Sequence, residues 1–592
     1  MNRTNASDQH IAVLVVGAGP VGLTLALELN RYGIPTLLVD KSVTTTRHPK
    51  MDITNGRSME FYRRLGIADR LRAVAVPADR RMTVTWATNL AGWELARFEY
   101  PSVDETRVRT THVNNGTATL EPSMRVSQVL LEPVLREEVD QRAPHVETMY
   151  GWTLESFSDN GFNVIATLFS PDTGERRTVT ADYLLACDGA SSVVRKQLGI
   201  ALDVLDVRSM LVRELGLRRL LPALARNFRA AAQRPMSGRF ALVHFHTSDP
   251  SLSARFGHFW HLQSPEGWTL ISQDDAGTYT LHVPLGVGEA DDAIDPRERV
   301  YRALGHRFSL KILAANAWTP RLTVADSYGR GRVWLAGDAV HQVTPTGGYG
   351  MNTGVGDAVG LAWAIAAQVQ GWGGSALLTA YEKERRDVAL RNRTAAARHA
   401  AVRGAILTAN WAGMHSERWH GAATRERLGR EIRDLGNLEN EAWGIEHGYR
   451  YDSPVIASEA GHPPPLLMDR ADPTTWPGAR PPSVHLTDGR ALFDLFGAGF
   501  TLVRFADVDV SGLVAAAEVC RVPLAVVDVR DSHARQLYQR DLVLIRPDQH
   551  VAWRGDTAPD RPAPLLDRVR GAGLESASSM STVTSTSTKG AR

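Results

Sequence analysis

The 592-residue chain is poor in cysteine, with only Cys187 and Cys520. These two residues are too far apart in sequence to form a local metal-binding motif, and no disulfide framework is expected. This cysteine usage predicts a reducing compartment such as the cytoplasm. The chain also lacks any run of about 18 apolar residues, so no membrane span is predicted. Residues 1–10 are polar and show no signal-peptide pattern.

The chain also has little excess charge of either sign, because its 67 Lys and Arg residues are nearly balanced by 65 Asp and Glu residues. The formal net charge of +2 therefore gives no electrostatic reason to expect nucleic acid or an acidic membrane as a partner. Hydrophobic residues make up 43% of the chain, which is ordinary for a globular protein. The length predicts more than one domain.

A glycine pattern near the start, "VVGAGPVGLTLALELN", predicts a dinucleotide site. Gly17, Gly19 and Gly22 follow an apolar strand and open an amphipathic helix, and a second apolar strand ends at Asp40. In such a unit the first glycine permits a tight turn, the second admits a pyrophosphate, and the third lets helix and strand pack closely. Asp40 is placed to accept a hydrogen bond from a ribose hydroxyl. The loop alone does not distinguish FAD from NAD.

The rest of the chain divides by pattern. Residues 240–284 contain short alternating β-rich pieces, which predict an antiparallel sheet. A Pro-rich linker, "GHPPPLLMDRADPTTWPGARPPS", precedes "FTLVRF", "PLAVVDV" and "LVLIRP", which predict three strands with a helix between the first two. The last segment is rich in Ser and Thr and is expected to be disordered.

Two later segments identify the dinucleotide by resemblance. They are "LLACDGASSVVRKQLG", with Asp188, Gly189 and Arg195, and "RVWLAGDAVHQVTPTGGYGMNTGVGDAVGLAWAIA". Together with the first loop they resemble the single-component FAD-dependent aromatic hydroxylases, which have the p-hydroxybenzoate hydroxylase fold. The resemblance covers most of the first 400 residues. The C-terminal region, typified by "DLVLIRPDQHVAWRG", resembles the thioredoxin-like extension of the larger, phenol hydroxylase-like members.

The resemblance implies an α/β fold, in which a Rossmann-like FAD-binding domain is interleaved with a β-sheet substrate domain and followed by a thioredoxin-like domain. The expected FAD-binding domain comprises 1–80, 116–202 and 320–410. The other expected parts are the substrate domain (81–115 and 203–319), a helical region with the Pro-rich linker (411–470), the thioredoxin-like domain (471–575) and the disordered tail (576–592).

The resemblance also assigns cofactor contacts. The glycines of the first loop would hold the FAD pyrophosphate, Asp40 the adenosine ribose, and Asp338 the ribityl–phosphate part. Gly350 to Asn352 would lie beside the isoalloxazine, and the oxygen chemistry is expected near Pro345. The remaining implied cofactor-binding positions are Pro20, Val21, Lys41, Lys50, Arg57, Gln128, Asp188, Gly189, Gly337, Gly348 and Met351.

Lys50 departs from the family pattern, which usually has an arginine near the pyrophosphate. Lysine keeps the positive charge but lacks the bidentate guanidinium fork. Arg47 or Arg57 could compensate, and the sequence does not decide between them.

The implied activity is hydroxylation of a small aromatic (phenolic) substrate, either a simple phenol or a polycyclic one, by molecular oxygen through a flavin C4a-hydroperoxide, with NADH or NADPH as the transient reductant. Asp52, five residues before Arg57 in "DITNGRSME", is the candidate base for the phenolic proton. Two alternatives stay open: Baeyer–Villiger oxidation or epoxidation of a polyketide by the same fold, and a non-catalytic flavin-binding protein. A homodimer is common among the relatives.

The β-rich middle is expected to supply the substrate wall from its polar and aromatic residues, which are His244, His246, Trp260, His261 and Tyr279, with His246, Trp260 and Tyr279 as the leading candidates. Alternation along a strand places His244 and His246 on one face, and His258 and Trp260 on one face. The H-x-H spacing resembles part of a metal site, but no third ligand is evident, so no metal is predicted.

Overall fold

The computed structural model describes residues 9–90, 92–205, 236–250, 252, 258–263, 268–408 and 413–573. The expected disordered tail, 576–592, lies outside these described residues. No described helix is both long enough and apolar enough to cross a bilayer.

The first large sheet is built on parallel strands whose side chains are buried on both faces. Five strands pair in parallel in the order β19–β10–β1–β2–β7, and three more pair antiparallel at its edges. The eight strands are β1 (Gln9–Val16), β2 (Thr36–Asp40), β7 (Val146–Tyr150), β8 (Thr153–Asp159), β9 (Val164–Phe169), β10 (Arg176–Ala186), β18 (Gly329–Arg330) and β19 (Val333–Leu335). The continuous apolar run in β1 suits this position, since a parallel sheet is covered by helices on both faces.

The second large sheet contains the four β-rich pieces predicted from the sequence, together with strands from two other regions. Its order is β16–β12–β15–β14–β13–β4–β5, and every pairing is antiparallel except that of β13 with β4. The strands are β4 (Met82–Ala87), β5 (Glu94–Tyr100), β12 (Met236–His246), β13 (Phe259–Leu262), β14 (Trp268–Ser272), β15 (Thr278–Gly286) and β16 (Lys311–Trp318).

The C-terminal sheet has four strands in the order β22–β21–β23–β24, of which β21 and β22 are parallel and the others antiparallel. They are β21 (Phe500–Arg504), β22 (Leu524–Asp528), β23 (Leu542–Ile545) and β24 (Val551–Gly555). The three predicted strands are confirmed. The fourth strand begins in "HVAWRG", where Ile545 pairs with Val551 across a tight turn.

Short pairings complete the β-structure and connect the larger units. These strands are β3 (Ile53–Thr54), β6 (Met124–Arg125), β11 (Leu202–Val204), β17 (Thr323–Ala325) and β20 (His341–Gln342). The helices are α1 (Pro20–Arg31), α2 (Gly56–Arg64), α3 (Ala68–Ala73), α4 (Val103–Val113), α5 (Gln128–Arg142), α6 (Val193–Gln197), α7 (Pro296–Leu304), α8 (Tyr349–Val369), α9 (Ala376–Thr408), α10 (Trp419–Leu435), α11 (Trp443–Glu446), α12 (Ser511–Val519), α13 (Ser532–Tyr538) and α14 (Pro562–Val569).

Helix α8 is buried nearly all round, which its small apolar residues permit. It packs against α1 on one side and α9 on the other. A Cβ at Gly354 would approach Val21 in the first turn of α1 to 2.5 Å. Glycine at this position therefore lets the two helices, and the loops that precede them, come together.

A buried ionic cluster fastens the C-terminal domain to α2. Glu60 is 1% exposed at its side chain and pairs with Arg57 and with Arg480 of the C-terminal domain. Burial alone would raise the pKa of Glu60, but the two guanidinium groups and the Leu120 amide outweigh it and lower the pKa to about 2. The interaction therefore stabilises the folded chain when Glu60 is ionised.

We expect Glu60→Gln to lower the free energy of unfolding at pH 7 by about 3 kcal/mol, because it leaves two buried guanidinium groups without their charge partner. The pKa of Glu60 in the folded chain lies below the ordinary pKa of glutamate, so this contribution is present at pH values above that ordinary pKa and is lost as the pH falls towards 2. Stability of the variant should consequently fall less steeply over this pH range. Denaturant unfolding at a series of pH values measures both effects.

Asp494→Asn is the matched control, since Asp494 pairs with Arg63 at the same junction but is 41% exposed. Asp494→Asn should lower the free energy of unfolding by less than about 1 kcal/mol. Equal losses in the two variants would contradict a special role for the buried cluster.

Candidate active site

The first glycine loop forms a cradle with open space at its centre. Gly17 has φ +105°, and a Cβ there would collide with the carbonyl oxygen of Cys187, the residue that follows β10. A Cβ at Gly22 would collide with the Gly17 carbonyl oxygen, whereas Gly19 has no neighbour within 4 Å of an added Cβ. The loop is thus closely packed except at Gly19, where α1 begins and its N–H groups face outward.

Asp40 lies at the edge of this cradle. Its Oδ2 accepts a hydrogen bond from the Ala18 amide at 2.6 Å, and its Oδ1 accepts one from the Ser42 amide at 2.7 Å. These bonds orient the carboxylate, and each oxygen keeps a further lone pair for a ribose hydroxyl. Lys41 is exposed beside it.

The turn after β19 meets the first loop. Gly337 has φ +64°, and a Cβ there would approach Val21 to 3.0 Å. The neighbouring Asp338 side chain is open to solvent, yet desolvation by the surrounding protein raises its pKa, which His341 and Lys50 partly offset. Asp338 therefore faces a deep, open cleft, and Lys50 contributes positive charge there.

Asp357, which the sequence reasoning missed, fixes the Asp338 turn. It is fully buried on α8, and its Oδ2 accepts from the Gly337 amide at 3.1 Å and lies 2.8 Å from His341 Nε2. Its Oδ1 accepts from Arg385 Nε on α9 at 2.8 Å. Burial would raise the pKa of Asp357, but His341 and Arg385 hold it below the usual range. An acidic residue within an otherwise apolar helical stretch was the available signal.

The Asp188–Gly189 segment lies beside the same cleft. Asp188 Oδ2 accepts from the Val193 amide at 2.7 Å at the start of α6, while its buried Oδ1 has no hydrogen-bond partner. Arg195 Nη1 donates to the Ala339 carbonyl at 2.7 Å. This bond joins the segment to the turn that carries Asp338.

Asn352 joins the segment that carries Asp52 to the start of α8. Its Oδ1 accepts from the Asn55 amide at 3.0 Å and from Ser58 Oγ at 2.7 Å. Its Nδ2 donates to the carbonyls of Ile53 at 3.0 Å and Gly348 at 2.7 Å. Its side chain thus holds two parts of the chain together. Gly350 and Met351 lie in the first turn of α8, and their contact with the flavin stays a prediction.

Asp52 is 15% exposed at its side chain, and its Oδ2 lies 3.3 Å from Arg125 Nη2. Arg125 Nη2 also donates to the Ser272 carbonyl of β14. Burial raises the pKa of Asp52 although Arg125 opposes this shift. Asp52 therefore lies where the first domain meets the second large sheet, with a raised affinity for a proton.

Two predicted cofactor contacts have partners within the protein. Arg57, 4% exposed at its side chain, donates through Nη1 to Glu60 and Gln549 and through Nη2 to the Asp548 carbonyl. These bonds hold the Arg57 guanidinium at the C-terminal domain, and the choice between Arg47 and Arg57 as the residue that compensates for Lys50 stays open. Gln128 Nε2 donates to Glu132 Oε2 at 2.9 Å, and its contact with the cofactor stays a prediction.

The face of the second sheet that packs against α7 carries two of the predicted substrate residues. Trp260 is fully buried and Tyr279 is 2% exposed, and both belong to the apolar core that includes α7. His246 is exposed and lies 3.3 Å from Thr278 Oγ1. The roles of these three residues in substrate binding stay predictions.

The opposite face carries Trp86, Phe259, His261 and His282. Arg403 of α9 lies over the Phe259 ring at 5.9 Å from its centroid, which places this face towards the first domain. His261 is opposite Thr269, and Thr269 is opposite His282, so these side chains form one row across three strands. Burial, aided by Arg403, lowers the pKa of His261 well below its usual value and that of His282 to about 4. Both imidazoles are therefore neutral at pH 7 and can donate or accept hydrogen bonds.

Within the described residues, no three His, Cys, Asp or Glu side chains converge as a potential metal site. The Gly19 opening, the oriented Asp40 carboxylate and the open Asp338 cleft instead suit an elongated phosphate- and hydroxyl-bearing cofactor at the carboxyl ends of parallel strands.

The family models decide which cofactor this is. The "FAD binding domain" model matches residues 10–221 and 223–396, and the "Aromatic-ring hydroxylase, C-terminal" model matches residues 474–573. The chain belongs to the FAD-dependent aromatic-ring monooxygenases. The cofactor is accordingly FAD, and the assignment of Gly19, Asp40 and Asp338 to its binding site stays a prediction.

The similarity to individual relatives covers nearly the whole length of this monooxygenase. It is 36% identical to the FAD-dependent monooxygenase apdD of Emericella nidulans, over 92% of this chain and 87% of that protein. It is 30% identical to the tetracenomycin B2 monooxygenase-dioxygenase of Streptomyces olivaceus, over 95% and 97% of the two chains. The solved structure of the rebeccamycin biosynthetic enzyme RebC with reduced flavin has a TM-score of 0.82 and 34% identity, over 96% and 100%.

Asn352→Ala is expected to detach the Asp52 segment from α8. Losing the amide leaves the buried backbone groups of Asn55 and Ile53 unsatisfied, which should lower the free energy of unfolding by about 3 kcal/mol. Unfolding of the FAD-loaded protein measures this loss. Asn352→Asp, which keeps the acceptor oxygen but loses both donors, should have an intermediate effect, and wild-type stability in the alanine variant would contradict the assignment.

Proposed function

We propose that this monooxygenase hydroxylates a phenolic ring, with NADH or NADPH as the transient reductant of FAD. The observation that carries the proposal is the position of Asp52, a partly exposed carboxylate with a raised pKa where the FAD domain meets the histidine-bearing sheet face. A carboxylate in this position suits a general base for a phenol, because a raised pKa brings it closer to the pKa of the proton it accepts.

FAD, when bound, supplies the reducing and oxygen-transferring chemistry. The protein's own part is to hold the ring and to move the phenolic proton. Asp52 accepts the proton, and Arg125 orients the carboxylate through its contact with Oδ2. Phe259 offers apolar surface for an aromatic ring, while the buried surroundings of His261 limit access of water.

The row of His261 and His282 favours a second candidate, oxygenation of an extended polyketide by Baeyer–Villiger oxidation or epoxidation. The two residues are two strands apart, which separates their backbones by roughly 10 Å. Neutral imidazoles at this spacing match polar substituents at two ends of a fused ring system better than one small phenol. Product mass and NMR spectra from a panel of single-ring phenols and polycyclic phenols distinguish ring hydroxylation from ring opening or epoxidation.

Asp52→Asn should slow ring hydroxylation by roughly 10²- to 10⁴-fold, because amide nitrogen and oxygen cannot act as the base. FAD affinity should be unchanged. In the wild-type protein, the rate of hydroxylation should fall on the acidic side of its pH profile as Asp52 is protonated. This acid limb of the pH profile should lie above the ordinary pKa range of aspartate. The limb should be absent from the variant. Product formation per NAD(P)H consumed, followed against pH, measures these effects.

Asp79→Asn is the control, since the Asp79 side chain is 73% exposed and lies 3.8 Å from Arg80 Nε. It should leave the rate and the pH profile unchanged. Full coupled turnover by Asp52→Asn would remove Asp52 from the chemistry.

A further inference from the structure

Residues 345–348, which precede α8, are called the flavin loop below. Glu439 contacts this loop at Gly347 from a segment outside the FAD-binding motifs. It lies on the short 3-10 helix Leu438–Asn440, which follows α10. Its side chain is only 12% exposed. It belongs to neither the glycine loops nor the strands of the substrate sheet.

Its carboxylate holds the turn that precedes α8. Oε1 accepts a hydrogen bond from the Gly347 amide at 3.2 Å and another from Arg403 Nη2 at 2.6 Å. Gly347 has φ +84°, and the next amide, that of Gly348, donates to the Pro345 carbonyl at 3.0 Å. Glu439 therefore supplies an acceptor for a backbone group at the tightest part of the turn.

The segment that carries Glu439 is fastened to the substrate sheet. Asn437 Nδ2 donates to the Tyr100 hydroxyl at 2.8 Å, and that hydroxyl donates to Glu441 Oε1 at 2.8 Å. Arg403, the other partner of Glu439, lies over Phe259 on the substrate-facing side of the sheet. Glu439 thus connects both the edge and the face of this sheet to the flavin loop.

We propose that Glu439 is a positioning residue, which fixes the Gly347 turn against the flavin. The proposal concerns FAD binding alone and does not depend on the identity of the substrate.

The test compares Glu439→Ala, which removes the acceptor and the charge, with Glu439→Gln, which keeps an acceptor oxygen. In Glu439→Ala, the visible absorbance spectrum of bound FAD should change, and FAD affinity should weaken roughly fivefold for the loss of one hydrogen bond. Glu439→Gln should restore the wild-type spectrum.

Glu441→Gln is the matched control, since it lies in the same segment and bonds to Tyr100 rather than to the Gly347 turn. It should keep the wild-type spectrum and FAD affinity. A wild-type spectrum and FAD affinity in folded Glu439→Ala would overturn the positioning role.

Discussion

The amide of Asn352 is the constraint on which the geometry of the site depends. Its oxygen accepts a hydrogen bond from the Asn55 amide. One of its N–H groups donates to the Ile53 carbonyl, and the other donates to the Gly348 carbonyl just before α8. No other type of side chain of this size presents an acceptor and two donors together. The candidate base and the flavin loop, which are about 300 residues apart in sequence, are therefore held in one arrangement.

Buried charge is used in the same way elsewhere in the molecule. Asp357 fixes the Asp338 turn to α8 and α9, Glu60 fastens the C-terminal domain to α2, and Glu439 ties the flavin loop to the helical region. Each of these carboxylates has lost contact with water on burial, and hydrogen bonds from arginine side chains or backbone amides replace that hydration. Asp52 is different, because one guanidinium contact does not fully offset its burial and its pKa is raised. Incomplete compensation leaves this carboxylate ready to take up a proton.

Much of the fold could be predicted from the sequence because the glycine loop, Asp40 and the turn at Asp338 are local patterns with local causes. Four strands of the second sheet are likewise predicted from their alternation, whereas β4, β5 and β16 are not. Alternation alone does not say which face of the sheet meets the first domain, so the sequence cannot separate His261 from Trp260, which the fold places on opposite faces. The contacts of Arg57 with Asp548 and Gln549 are equally hidden from the sequence, because these partners are nearly 500 residues away. Arg125, Asp357 and Glu439 acquire their roles only through contacts made in the folded chain.

Incorporation of labelled oxygen is the most direct test of whether this monooxygenase hydroxylates a phenolic ring. The FAD-loaded protein would be incubated with NADH or NADPH and each member of the phenol panel under ¹⁸O₂, and the products analysed by mass spectrometry. The account predicts a substrate that stimulates NAD(P)H oxidation and gains one ¹⁸O atom on its aromatic ring. Oxidation of NAD(P)H without labelled product from any single-ring or polycyclic phenol, despite bound FAD, would contradict it.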